Sequence, residues 1–162
     1  MKLGHYIKRV ESSKEFKKFK KEHSKAYLCA GFFVIDLEAG KNMHQLDYYL
    51  SNGKVATAIV DKGVKIRISK QALKKKLPEI NEKAKLDVDV LKGIVHDEMQ
   101  NQSITSSIKK IIAIAHMSDG KMMWNLQCIL DGLIMLQVHI DDDTGNILRF
   151  EKTSLLDLVR KI

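Results

Sequence analysis

The sequence is poor in the residues that usually announce a special chemistry. Cysteine occurs twice, at Cys29 and Cys128, far apart and inside apolar runs. That arrangement suits neither a disulfide framework nor a zinc site, and both residues read as reduced, buried thiols. Only 6% of the residues are aromatic, so stacking platforms for unpaired bases are few. No run is both long and uncharged enough for a signal peptide or a membrane span, and Met1 to Gly4 leads straight into a charged segment. The expectation is a cytoplasmic protein without a transmembrane segment.

What is present suits one ordinary domain over residues 1–162: 44% of the chain is hydrophobic and 30% charged, with no sign of disorder or a fibrous repeat. The net charge of +8 is unevenly spread. Residues 1–26 carry nine Lys/Arg against three Glu, and residues 62–85 carry nine against two. Basic surface attracts polyanions over about a Debye length, roughly 8–10 Å, so nucleic acid and acidic lipid are candidate partners. Candidate polyanion-binding residues are Lys17, Lys18, Lys20 and Lys21 in the first stretch, and Lys65, Arg67, Lys70, Lys74, Lys75 and Lys76 in the second. Such runs are more often solvated faces that keep a protein soluble.

Ser12-Ser13-Lys14-Glu15 predicts a helix start with a capping box, and the helix runs to about Ser24 with Phe16 and Phe19 on one face. Tyr27 to Asp36 is nearly all apolar and predicts a central strand buried on both faces. Leu46–Leu50 and Val55–Val60 flank Ser51-Asn52-Gly53, where Asn-Gly offers the positive φ angles of a tight hairpin. Val64 to Ile68 alternates apolar with basic residues, so Lys65 and Arg67 point to solvent together. A short helix over Gln71–Leu77 is expected to stop at Pro78, with a polar connection over residues 78–86. Asp87 caps a helix with Val88, Leu91, Val95 and Met99 on one stripe. Ile104, Ile108, Ile111, Ile112 and Ala115 keep helical spacing and predict another, although Ile-rich segments also form strands. Strands are expected over Met122–Leu130, Leu133–Ile140 and Ile147–Glu151, then a helix capped at Ser154 with Leu155, Leu158, Val159 and Ile162 inward.

The fold class is therefore α+β, with antiparallel β-meanders packed against helices. Both halves, 1–77 and 87–162, read as helix then meander, which suggests an internal repeat. Leu46–Val60 can be laid over Leu136–Phe150 with two extra turn residues. The stretch Ile111 to Phe150, with Val138-His-Ile-Asp141 followed by Thr144-Gly145-Asn146-Ile-Leu148, resembles PepSY-like and other cystatin-like α+β units. The resemblance implies an acidic-Gly turn between the last two strands and binding or inhibition of peptidases. It brings no catalytic residues, and such domains are typically found outside the cytoplasm or on membranes.

Candidate chemistry is thin. Asp141-Asp142-Asp143-Thr144-Gly145-Asn146 gathers three carboxylates, but an EF-hand register that puts Gly145 sixth puts Ile140 first, where a ligand is needed. The same residues suit a hairpin turn, so no metal is expected. His96, Asp97 and Glu98 are adjacent on a helix and diverge, while His44, His116 and His139 read as isolated. Cys29, mid-strand, reads as packing rather than an activated nucleophile. Trp124 with Met117, Met122 and Met123 flanks the Asp119-Gly120 turn and reads as core. No catalytic residue and no cofactor is expected. A non-enzymatic binding or interaction protein ranks first, acting through a sheet surface or edge on a protein partner or a second copy of itself. A nucleic-acid binder using the lysine-rich patches is the alternative. An enzyme or small-ligand binder with a pocket in a curved sheet is third.

Overall fold

Alternation of side chains decides the layers. The computed structural model describes residues 2–160. Two helices, α1 (Leu3–Glu11) and α2 (Lys14–Glu22), precede the strands β1 (Tyr27–Asp36), β2 (Asn42–Tyr49), β3 (Val55–Val60) and β4 (Val64–Ile68). After a long connection come α3 (Val88–Asn101), β5 (Ile108–Ser118), β6 (Lys121–Leu130), β7 (Ile134–Asp141), β8 (Ile147–Ser154) and α4 (Leu155–Arg160). The strands form one eight-stranded antiparallel sheet in the order β4-β3-β2-β1-β5-β6-β7-β8. Two meanders thus meet edge to edge at β1 and β5, where Gly31 pairs with Ala115 and Asp36 with Lys110.

One face of the sheet carries the core. Phe33, Leu46, Tyr48, Ala56, Ala58, Ala113, Ala115, Trp124, Leu126, Val138 and Ile140 are all buried, and the pairing register puts them on the same side. Tyr6 of α1 packs on Phe33 and stacks on His44, and Phe16 and Phe19 of α2 pack on Tyr48. On α3, Leu91, Val95 and Met99 are buried in the same cluster. Close approach shapes the centre: a Cβ on Gly31 would lie 2.8 Å from Leu3 Cδ1. The connection over residues 78–86 joins this layer. Ile80 N–H donates to Leu28 O, and Asp142 accepts from Lys85 N–H (2.8 Å), Leu86 N–H (3.0 Å) and Trp124 Nε1–H (2.9 Å).

Several expectations are corrected. The segment expected to be a helix over Ile104–Ala115 is instead a loop and β5, because Ile111, Ala113, Ala115 and Met117 are buried at every second position. No helix forms over Gln71–Leu77; its lysines offer no apolar stripe, and the extended chain is pinned by Leu73 N–H to Gly53 O and Tyr27 Oη–H to Leu77 O. Strand β1 is buried on one face and half-buried on the other, not buried on both. Ser13, not Ser12, caps α2 and accepts from Phe16 N–H, so Glu15 meets the helix dipole instead of closing a capping box. In the hairpin after β2, Gly53 alone takes a left-handed φ, +84°, while Asn52 Oδ1 accepts from Lys54 N–H. Helix α1 was not anticipated. Val159 is 68% exposed rather than inward; the side chains of Leu158 and Arg160, and residues 161–162, lie outside what is described. Leu46–Val60 and Leu136–Phe150 fall on the second and third strands of one meander and the third and fourth of the other.

Candidate functional site

With α1, α2, α3 and the 78–86 connection on one face, the middle of the other face has no layer over it among the described residues; the loop before Pro78 reaches only its end, where Tyr27 Oη–H donates to Leu77 O. The apolar register positions of this face are Phe32 and Val34 on β1, Ile112 and Ile114 on β5, Ile59 on β3, and Met123, Ile129 and Met135 on β6 and β7, with Gln45, Asn125, Gln127 and Gln137 beside them. The apolar ones are all half-buried by their neighbours in the sheet. A row of aliphatic and aromatic side chains across the two central strands is therefore available to a partner.

Polar groups frame this apolar centre. Asp47 on β2 accepts from Thr57 Oγ1–H (2.8 Å) and from Gln45 Nε2–H (3.4 Å), and burial pushes its carboxyl above the usual carboxylate range. Lys65 and Arg67 pair with Ile59 and Thr57, which puts both on this face at the β4 edge, exposed as expected. Near the opposite edge stand Arg149 and Glu151, an ion pair of 2.8 Å. His116 and His139, read from sequence as isolated, are instead on the same face with β6 between their strands. Burial lowers the pKa of His139, and the charges of Arg149 and His116 lower it further. His116 Nε2 is buried without a partner among the described residues. His44 lies on the opposite face against Tyr6, its pKa also lowered by burial.

The remaining lysines are dispersed. Lys17, Lys18, Lys20 and Lys21 belong to α2 on the helix side, where Lys20 Nζ–H donates to Ala26 O. Lys70, Lys74, Lys75 and Lys76 are exposed in the loop after β4. Glu15, Asp61, Lys62, Lys65 and Arg67 share a hollow of about 620 Å³, so acids interrupt the basic surface there.

The three carboxylates of the last hairpin are each held by protein donors. Asp141 accepts from Asp143 N–H and Thr144 N–H, Asp142 ties Trp124 to residues 85–86, and Asp143 pairs with Lys85. Burial pushes the Cys29 and Cys128 thiols up to about 12, which keeps them protonated and poor nucleophiles. Among the described residues, no helix is long and apolar enough to cross a membrane.

Fold and surface together define a mixed α+β protein with one helix-covered and one uncovered sheet face. No family model matches the chain, and neither does any curated protein. Among solved structures it is similar to a crystal structure titled a "putative lipoprotein" from Clostridium difficile 630. That match has 11% identity and a TM-score of 0.57 over 85% of this chain and 89% of the other. At that identity the likeness carries the fold alone.

Proposed function

We propose that the chain is a non-enzymatic binding protein that holds a protein partner on the uncovered sheet face. The observation behind this reading is the continuous set Phe32, Val34, Ile112 and Ile114 at the middle of the sheet with no layer over it. The fitting partner has an apolar centre and an acidic group opposite Lys65 and Arg67. On the same reading the two halves descend from one duplicated unit, supported by the shared order of helix then four-stranded meander. Residues 111–150 are on this reading a PepSY-like unit, supported by the Thr144-Gly145-Asn146 turn before β8. A reducing, cytoplasmic setting is favoured by the two buried thiols.

The test compares three purified proteins: wild type, Phe32→Asp/Ile114→Asp, and Lys74→Gln/Lys75→Gln/Lys76→Gln. A partner purified on the wild type is expected to protect β1 and β5 amides from hydrogen exchange, to bind the lysine variant equally and to be lost by the face variant. Retention by the face variant sinks the proposal. A wild-type dimer that the face variant converts to monomer names a second copy as the occupant. Loss on neutralising the lysines, with affinity falling steeply in salt, would transfer the function to nucleic acid.

A further inference from the structure

Along α3, Lys92, His96, Met99 and Gln100 recur at helical spacing and share one flank of the helix. That flank faces the 103–107 loop leading into β5. Between them, at the end of β1, lies a groove of about 580 Å³ whose apolar lining is Leu37, Met99, Ile104 and Ile108. Its size falls within the usual span of small-molecule sites, roughly 300–1,000 Å³.

The sign of its charge is unambiguous. Among the described residues, no carboxylate lines the groove. Asp97 and Glu98 border a different hollow beside Gly145, and Glu98 is tied to Asn101 and Gln102. Lys92 is half-buried and forms no ion pair among the described residues. Ser103, Thr105, Ser106 and Ser107 of the loop line the opposite wall. Among the described residues, the N–H groups of Thr105, Ser106 and Ser107 have no protein acceptor. A lysine, a histidine and a run of hydroxyl-bearing residues lining one groove, with no acid among the described lining residues, suit an oxyanion.

We infer that the α3 flank and the 103–107 loop bind a small organic oxyanion, a phosphate monoester or carboxylate carrying a short apolar group. Lys92 supplies the charge, and His96 and the loop supply hydrogen bonds. The apolar body lies on Met99, Ile104 and Ile108. A bare anion would leave those walls wet, and a neutral apolar molecule would leave Lys92 without a partner. The groove is on the helix side, so it stands independently of the uncovered face.

The test is a titration of the isotope-labelled full chain with phenyl phosphate and, in a second arm, with phenylacetate, read by amide chemical shifts. Saturable shifts confined to residues 92–108 are expected from at least one probe, and the tighter of the two identifies the anion. Lys92→Gln should weaken that binding about tenfold, with Lys92→Arg retaining it and Lys74→Gln leaving it unchanged. Inorganic phosphate and benzyl alcohol should each bind more weakly than the better probe. The inference is overturned if neither probe saturates, if shifts centre on residues 74–76, if Lys92→Gln has no effect, or if benzyl alcohol binds as tightly.

Discussion

The halves 1–77 and 87–162 build the same helix-then-meander order with different materials. The first half fills its core with rings, Tyr6, Phe16, Phe19, Phe33 and Tyr48, and makes room for them with Gly31, Ala56 and Ala58. The second relies on aliphatic side chains, Leu126, Leu136, Val138 and Ile140, around the single Trp124. Two short helices cover the first meander and one 14-residue helix covers the second. Charge divides the same way: residues 1–77 carry 18 Lys/Arg against 7 Asp/Glu, while residues 87–162 carry 8 against 11. One topology thus tolerates two packing solutions, because each only has to fill the space between a helix and a pleated face at close-packed density.

The largest effect that would break this comparison is expected in the second half. Asp142→Ala leaves the buried Trp124 Nε1–H and two partly buried backbone N–H groups without an acceptor and frees the 78–86 connection. Denaturant unfolding should show a loss of about 3 kcal/mol. In the first half the sensitive point is steric: Gly31→Val pushes into Leu3, itself only 2% exposed, and should lower stability by about 1–3 kcal/mol in the same assay. A smaller effect of opposite sign sharpens the electrostatic side. Burial raises the Asp47 pKa above its unfolded value of about 3.9, so the folded state binds the proton more tightly and stability falls as pH rises through that window. Asp47→Asn should therefore raise Tm at pH 7, and the gain should fade as pH drops towards about 4.

Where local chemistry and tertiary environment agreed, the sequence was readable. Gly53 and the flanking alternation gave the β2–β3 hairpin, and Asp87 gave the start of α3, its side chain accepting from Val90 N–H. Where the period was ambiguous it was not. Ile104, Ile108, Ile111, Ile112 and Ala115 satisfy a helical spacing, yet the buried set of β5 is Ile111, Ala113, Ala115 and Met117, with Ile112 and Ile114 half-buried on the uncovered face. Apolar residues on both faces of a strand erase the alternation that would have revealed it. Helix α1 lacked a cap, since Lys2 makes no side-chain bond, though Leu3, Tyr6 and Val10 carry its spacing. The row Lys92, His96 and Gln100 carries no signal in the sequence by itself, because it gains a facing wall only from the 103–107 loop, and the helical spacing of Ile104, Ile108 and Ile111 hides that loop.

The joint between the meanders also sets a timetable for folding. Each meander is made of hairpins between sequence neighbours, but every pair joining β1 to β5 spans more than seventy residues. Closing that distance takes chain entropy that local hairpins do not demand, so the joint raises contact order and slows the final step. Until it forms, β1 and β5 are each an open edge flanked by apolar side chains, ready to pair with the wrong chain. The centre of the finished sheet is thus the place where a crowded, half-folded population would most readily aggregate.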